Sequence, residues 1–156
     1  MTQIEKTFNI LSIEDNKADF ELIKKAISSI KDLSIKITNI DDGEKALQYI
    51  CNNHIITPDL IILDLNLPSI DGIDLLKIIK NKEQYKIIPI IIFTTSDKEE
   101  DIYITYKNYA NSYITKTYDV NDFLEKIYNL IEFWLKTSKL PNNNICFIQH
   151  NLKEKK

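Results

Sequence analysis

Six side chains that carry an acid, a hydroxyl or an amine directly follow short apolar runs in this sequence. They are three carboxylates, two hydroxyls and one ammonium group: Glu14, Asp15, Asp64, Thr94, Thr95 and Lys116. If the runs are strands of one parallel sheet, their carboxyl ends meet at one edge, where open α/β sheets form their sites. The sequence therefore predicts one polar site built from four strand ends.

This set of groups indicates phosphoryl chemistry with a metal ion. Three carboxylates at one site need a cation, because their repulsion would otherwise drive one of them to take up a proton. A hard divalent ion suits oxygen ligands, and Mg²⁺ is the one we expect. Lys116 and the two threonine hydroxyls would add donors for the oxygens of a phosphoryl group. Asp64, near the middle of the sheet, is the candidate nucleophile, since an aspartate can form an aspartyl phosphate.

Strands and helices are predicted to alternate along the whole chain. Five apolar runs predict strands, at 8–13, 33–40, 60–63, 90–93 and 112–115. Helical periodicity and helix-start signals predict five helices, at 17–30, 41–51, 70–79, from 96 onward and at 119–136. The fourth helix is predicted to begin with a capping box of Ser96 and Glu99. This order predicts an α/β fold of three layers, a (βα)5 doubly wound parallel five-stranded sheet between helices.

The order and spacing of these residues resemble a known family. Glu14 and Asp15, together with Asp64 in "IILDLNLPSIDG", resemble the acids of the receiver domain of two-component response regulators. Three further matches are a hydroxyl after the fourth strand, an aromatic residue on the fifth and the lysine after it: Thr94, Tyr113 and Lys116. The resemblance extends from Phe8 to Trp134, which is most of the chain.

The resemblance implies a fold, a cofactor and a reaction. The fold would be flavodoxin-like, with strand order 2-1-3-4-5. Asp64 would accept a phosphoryl group from a sensor histidine kinase, and the protein would catalyse only its own phosphorylation and slow dephosphorylation. Mg²⁺ would be held by three side chains and one backbone carbonyl, namely those of Glu14, Asp15, Asp64 and Asn66.

The resemblance also implies a conformational switch. Thr94 would move toward the aspartyl phosphate, and Tyr113 would repack behind it, which shifts an existing equilibrium between two shapes. Tyr113 has an alternative interpretation as an ordinary half-buried aromatic residue, since the chain contains 8 tyrosines.

One residue departs from the family pattern. The family usually has proline after the strand-five lysine, with a cis peptide bond there, whereas this chain has Thr117. A cis bond before a residue other than proline costs about 2.5 to 4 kcal/mol, so the Lys116–Thr117 bond is either trans or strained. The lysine–hydroxyl pair, together with "FWLKTSKLP" after the last helix, is similar to stand-alone regulators that partner bacteriophytochrome kinases.

Composition argues against nucleic-acid, membrane and nucleotide-hydrolysing functions. The net charge is -3, and the 20 basic residues include no arginine, which is the preferred side chain for reading bases and phosphates. No apolar run approaches the ~20 residues of a membrane span, and no signal peptide precedes the first strand, so we expect a cytoplasmic protein. The two glycines exclude a Walker A loop and a dinucleotide fingerprint.

The chain is predicted to be one receiver domain, at 1–138, with a tail at 139–156 and no output domain. Signalling would then pass through a partner protein. The last two helices carry more apolar surface than one core needs. The residues in question are Tyr103, Tyr106, Tyr109, Leu124, Tyr128, Ile131 and Leu135. Homodimerisation through the fourth helix, fifth strand and fifth helix is the preferred interpretation, and docking of the tail segment 145–148 onto the same surface is the alternative.

Two other function classes remain open on the sequence alone. A Mg²⁺-dependent phosphatase would also use an aspartate nucleophile, but the position two residues later, an acid–base aspartate in such enzymes, is Asn66 here. A pseudo-receiver would bind partners without phosphorylation; the complete set of acids and Lys116 argue against it, while Thr117 leaves it possible. Glu14 and Asp15 have a simpler role available as caps of the first helix.

Overall fold

The computed structural model describes residues 6–52 and 56–142 of the 156-residue chain. Five strands lie within these ranges: β1 (Thr7–Ile13), β2 (Ser34–Ile40), β3 (Leu60–Leu63), β4 (Ile90–Thr94) and β5 (Ser112–Thr115). The helices there are α1 (Lys17–Ser28), α2 (Gly43–Cys51), α3 (Gly72–Lys80), α4 (Glu83–Lys86), α5 (Glu99–Lys107) and α6 (Val120–Glu132). A π-helical turn, Phe133–Thr137, continues α6.

All five strands form one parallel sheet in the order β2-β1-β3-β4-β5. This confirms the predicted doubly wound topology. β3 and β4 are buried along their whole length, as expected of parallel strands that are covered by helices on both faces. Because side chains alternate across a strand, β3 sends Leu60 and Ile62 to one face, and Ile61 and Leu63 to the other.

Two hydrophobic cores lie on opposite faces of the sheet. On one face, α1 and α6 pack with Phe93, which makes an edge-to-face contact with Phe123 at 5.0 Å between ring centroids. On the other face, α2 and α3 contribute buried residues such as Ile50 and Leu75, and the short α4 contributes Tyr85. This arrangement gives the three predicted layers and leaves the carboxyl ends of the strands open.

The structure corrects the predicted helices at α4 and at the start of α5. The helix α4 was absent from the prediction, since four residues are too few to establish a period. The capping box was wrong: α5 begins at Glu99 after Lys98, whose side chain makes no capping hydrogen bond. Ser96 Oγ instead donates a hydrogen bond to Asp101 at 2.6 Å.

The apolar residues of the last helix are also arranged differently from the prediction. Ile131 and Leu135, which were assigned to an interface, are buried within the core between α1 and α6. Val120, at the start of α6, is half exposed. The π-helical turn changes the helical period after Glu132, so Leu135 is fully buried while Trp134 is only partly buried.

Candidate functional site

Three of the predicted site residues extend the strands by one further backbone hydrogen bond each. Glu14 N donates to Ile40 O at 2.9 Å, and Asp64 N donates to Ile13 O at 3.0 Å. Lys116 N donates to Thr94 O at 2.7 Å. The parallel ladder therefore fixes the backbone of these residues at the carboxyl edge of the sheet, and their side chains leave it at the same level.

The ammonium group of Lys116 lies at the centre of the site. Its Nζ contacts Glu14 Oε2 at 2.5 Å, Asp64 Oδ2 at 2.7 Å and Asp19 Oδ2 at 2.9 Å. Lys116, Glu14 and Asp64 are all buried, whereas the Asp19 side chain is 23% exposed. One buried cation is thus shared by three carboxylates: Glu14 directly after β1, Asp19 on α1 and Asp64 directly after β3.

The charges of this cluster perturb the pKa values of its members. Burial by itself would lower the pKa of Lys116, but the charges of Glu14 and Asp64 outweigh burial and raise it above its ordinary range. Burial raises the pKa of Glu14 to about 7, against the opposing attraction of Lys116. Three carboxylates around one ammonium leave an excess of negative charge, which a further cation would compensate.

The acids at this edge fit a divalent metal ion. Glu14, Asp15 and Asp64 each present a carboxylate oxygen, and these oxygens lie within 4.8 Å of one another. All three donors are hard oxygen ligands of the type that Mg²⁺ and Mn²⁺ accept. Asp15 is exposed at the rim while Glu14 and Asp64 are buried, so the group opens toward solvent on one side.

Thr94 ends β4 and Thr95 follows it, and both hydroxyls contact the loop that follows Asp64. Asn66 Nδ2 donates to Thr94 Oγ1 at 3.4 Å and to Thr95 Oγ1 at 3.3 Å. Thr94 is fully buried and Thr95 is exposed, so the two hydroxyls differ in their access to a ligand. Asn66 N donates to Asp64 Oδ1 at 3.1 Å, which orients the carboxylate.

Both glycines of the chain border the loop that follows Asp64. A Cβ on Gly72 would lie 2.4 Å from Asp64 O, and one on Gly43 would lie 2.5 Å from Ile70 O. Neither glycine has a positive φ. Close backbone approach, rather than conformational freedom, therefore requires glycine at these positions.

A left-handed residue in the same loop is anchored by a helix cap. Ser69 has a φ of 69°, which is uncommon for a residue with a side chain. Its Oγ donates to Asp42 Oδ2 at 2.6 Å, and Asp42 also caps α2 through its other oxygen. The start of α2 therefore holds the loop that carries Asp64 and Asn66.

Tyr113 lies on the edge strand β5, beside the β4–α5 connection. Its hydroxyl donates to Ser96 O at 2.9 Å, and its backbone N–H donates to Tyr106 Oη on α5 at 3.2 Å. The ring packs against the core on the α2–α3 face and is partly buried. Burial raises the pKa of the Tyr113 hydroxyl, so it remains a hydrogen-bond donor at neutral pH.

The departure at Thr117 is accommodated by an ordinary trans peptide bond. No peptide bond within residues 6–52 and 56–142 is cis, so Lys116–Thr117 is trans. Thr117 Oγ1 accepts a hydrogen bond from Asp119 N at 3.2 Å. Asp119 is the N-cap of α6, so Thr117 contacts the start of that helix and not the acid cluster.

Asp19 is the site residue that sequence reasoning missed. In the sequence it is an acid in the first turn of a helix, where acids commonly stabilise the helix dipole. Its contact with Lys116 joins residues 97 positions apart and appears only in the fold. The feature of the sequence that could have indicated this role is the position of Asp19, one helical turn after Glu14 and Asp15. Asn16 caps α1, so Glu14 and Asp15 do not carry the simpler capping role.

The fold matches that of a known protein family. The response regulator receiver domain family matches residues 10–128, and the chain belongs to that family. Response regulator Rcp1 of Synechocystis is 33% identical over 136 residues, covering 85% of this chain and 92% of Rcp1. "Probable methanogenesis regulatory protein FilR2" of Methanothrix harundinacea is 32% identical over 142 residues, covering 89% of this chain and 91% of that protein.

Solved structures agree with this assignment. The crystal structure of the phosphorylated cyanobacterial phytochrome response regulator RcpA has a TM-score of 0.84 and 35% identity, and it covers 88% of this chain and 100% of that one. The crystal structure of the Mn²⁺-bound form of Rcp1 has a TM-score of 0.82 and 32% identity, and it covers 86% of this chain and 99% of that one. No helix among the described residues is long and apolar enough to cross a membrane.

Proposed function

We propose that this chain is a response regulator whose Asp64 accepts a phosphoryl group from a sensor histidine kinase. The observation that carries the proposal is the contact of Asp64 Oδ2 with Lys116 Nζ at 2.7 Å, beside the oxygens of Glu14 and Asp15. The carboxylate nucleophile, the ammonium group and the acids that would bind the metal ion thus lie together at the carboxyl edge of the sheet. Membership of the receiver family supports this interpretation.

The reaction is a direct transfer between two side chains. A carboxylate oxygen of Asp64 attacks the phosphorus atom of a phosphohistidine on the kinase. The O–P bond forms as the P–N bond breaks, and the electron pair of that bond stays on the imidazole nitrogen, which takes a proton from solvent. Lys116 and the threonine hydroxyls donate hydrogen bonds to the phosphoryl oxygens as negative charge develops on them.

Mg²⁺ is the proposed cofactor. Glu14, Asp15, Asp64 and the backbone carbonyl of Asn66 would hold it, and the presence of Mn²⁺ in the Rcp1 structure supports a divalent ion at such a site. When bound, the ion neutralises charge on the acids and on the phosphoryl oxygens. Slow hydrolysis of the aspartyl phosphate would return the protein to its resting state.

The proposed output is a change of shape in a receiver that occupies residues 1–138. Phosphorylation draws the buried hydroxyl of Thr94 away from Asn66 and toward the phosphoryl group. Tyr113, whose hydroxyl donates a hydrogen bond to Ser96 O in the β4–α5 connection, repacks in response. A partner protein then recognises the surface formed by α5, β5 and α6, which are the predicted fourth helix, fifth strand and fifth helix. The tail predicted at 139–156 lies mostly outside the described residues.

We also propose that this side forms a homodimer. Tyr103, Tyr106 and Tyr109 remain exposed there, although two of the residues first assigned to the interface are buried. Sedimentation of the resting protein and of the protein with Mg²⁺ and beryllofluoride, a phosphoryl mimic, tests this. A shift to dimer mass is expected with the mimic, and a monomer in both states would refute it. The tail segment 145–148 of the alternative lies outside the described residues.

The kinase is proposed to be of the bacteriophytochrome type, since the matched structure of RcpA is a phytochrome response regulator. The phosphatase alternative is weaker, because Asn66 donates its amide hydrogens to Thr94 and Thr95 and cannot transfer a proton as an aspartic acid does.

Incubation with acetyl phosphate tests the proposed function. Intact mass spectrometry is expected to show one phosphoryl adduct with Mg²⁺ and none with a chelator. Absence of the adduct under both conditions would favour a pseudo-receiver that only binds partners.

A further inference from the structure

Every N–H donor of Lys116 is matched by a carboxylate. A lysine ammonium group has three donors, and the side chains at 2.5, 2.7 and 2.9 Å are those of Glu14, Asp64 and Asp19. A phosphoryl oxygen can receive a hydrogen bond from Lys116 only after one of these carboxylates has released it. The identity of the carboxylate that stays determines where the ammonium group points during the reaction.

The three carboxylates that contact Lys116 differ in whether they would also bind the metal ion or the phosphoryl group. Glu14 and Asp64 belong to the group of acids whose oxygens lie within 4.8 Å of one another, and Asp64 is also the acceptor. Asp19 is outside that group, so neither the metal ion nor the phosphoryl group competes for it. Its hydrogen bond to Lys116 is therefore the one that binding of either ligand need not break.

We infer that Asp19 is a positioning residue for Lys116 in phosphoryl transfer, an inference that rests on the proposed function. In the resting protein, Asp19 shares the ammonium group with Glu14 and Asp64. When Glu14 turns to the metal ion and Asp64 bears the phosphoryl group, Asp19 holds Nζ at the site and leaves two donors for phosphoryl oxygens.

A closed ring of hydrogen bonds fixes Asp19 for this role. Glu14 Oε1 accepts from Asn16 N at 3.0 Å, and Asn16 Oδ1 accepts from Asp19 N at 3.1 Å. Asp19 Oδ2 then accepts from Lys116 Nζ, which donates back to Glu14 Oε2. The N-cap of α1 therefore sets the place of the Asp19 backbone relative to the acid site, which preorganises the side chain.

Where the family pattern has proline, this chain has Thr117 and a trans peptide bond. The side-chain bond to Asp19 is a restraint on Lys116 that is independent of that peptide.

Phosphorylation kinetics with acetyl phosphate and saturating Mg²⁺ distinguish an effect on the position of Lys116 from an effect on binding of the phosphoryl donor. Asp19→Asn keeps the shape of the side chain but removes its charge. It is expected to lower the rate at saturating donor about tenfold, the lower end of what loss of an outer-shell partner costs. The donor concentration for half-maximal rate should not change. Glu21→Gln is the matched control: it removes the same charge from α1 at a residue that pairs with Lys24, and it should leave both quantities unchanged.

A spectroscopic readout tests the contact itself. With Mg²⁺ and beryllofluoride bound, the ¹H–¹⁵N signal of Lys116 Nζ should be weaker in Asp19→Asn than in the wild-type protein, because the variant loses the carboxylate that protects the ammonium protons. A Lys116 signal that is equal in the two proteins, or an Asp19→Asn rate equal to wild type, would overturn the inference while leaving the proposed function in place. A wild-type chain that accepts no phosphoryl group would instead overturn both.

Discussion

The hydroxyl of Tyr113 donates a hydrogen bond at 2.9 Å to the backbone carbonyl of Ser96, 17 residues earlier in the chain. This bond ties the edge strand β5 to the connection that leaves Thr94 and Thr95. In the proposed switch, movement of Thr94 toward Asp64 would be transmitted through this connection to the acceptor of the Tyr113 hydroxyl.

Tyr113→Phe should separate phosphorylation from its conformational output. The variant keeps the packed ring but loses one hydrogen bond, so the free energy of unfolding should fall by about 1 kcal/mol. Its rate of phosphorylation by acetyl phosphate should match wild type, because the hydroxyl lies outside the acid cluster. Hydrogen exchange across α5 should change less on phosphorylation than in wild type. An exchange response equal to wild type would show that Tyr113 is only a packing residue.

Gly72→Ala should destabilise the protein and disturb the acceptor loop. The added Cβ would meet Asp64 O at 2.4 Å and Leu65 Cα at 2.5 Å, and both are backbone atoms with little freedom to move. Overpacking of this kind costs about 3 kcal/mol. Urea unfolding measures the loss, and phosphorylation of Asp64 should slow as well.

The neighbouring cap provides the control for this variant. Asp71→Ala removes the side-chain cap of α3, a bond of 2.8 Å to Ile73 N, and should cost only about 1 kcal/mol. A Gly72→Ala variant that loses no more stability than Asp71→Ala would mean that the loop adapts to the extra atom.

Mg²⁺ should stabilise the folded protein through Asp15. An ion at ten times its dissociation constant adds about 1.4 kcal/mol if it binds only the folded state. Asp15 is exposed, so Asp15→Asn should fold normally but gain far less from Mg²⁺. Asp74→Asn, which alters a surface pair with Lys77 on α3, should respond like wild type. Thermal unfolding with Mg²⁺ and with a chelator measures this, and an equal gain in all three proteins would argue against the assigned ligands.

Lys80 should make stability depend on pH in the alkaline range. Its buried Nζ donates to Ile88 O at 2.8 Å, and burial lowers its pKa from 10.5 to about 8. Between these values the unfolded chain binds a proton that the folded protein does not. Stability therefore rises with pH in this interval, by at most about 1.4 kcal/mol per pH unit.

Lys80→Met removes this titration while keeping an apolar stem of similar length. Urea unfolding from about pH 7 to about pH 10 should show wild-type stability increasing relative to the variant. Comparison of the two proteins cancels the other groups that titrate in the same range. A constant difference across the interval would mean that Lys80 keeps its ordinary pKa in the folded state.

The fold was predictable because its signals are local and repeated. Apolar runs such as Leu60–Leu63 alternate with helical periods, and each pair of neighbours supports the same parallel topology. Where a signal was short or ambiguous, the prediction was wrong: Glu83–Lys86 is a single helical turn, and Ser96 binds Asp101 instead of capping α5. The π-helical turn after Glu132 breaks the helical period that the sequence pattern predicts up to Lys136.

The candidate site was predictable only as far as strand ends define it. Glu14, Asp64 and Lys116 follow strands directly, so topology alone places them on one edge. Asp19 lies on a helix, and its contact with Lys116 depends on how α1 packs against the sheet. The role of the glycines likewise depends on backbone distances that no local pattern encodes.

The central claim is that Asp64 is the residue that takes the phosphoryl group. Borohydride reduces an aspartyl phosphate to homoserine, so peptide mass spectrometry after acetyl phosphate and borohydride identifies the modified position. We expect homoserine at position 64 only, in the presence of Mg²⁺, and none in an Asp64→Asn protein. Homoserine at position 15 or 19, or a phosphoryl adduct that persists in Asp64→Asn, would contradict the account.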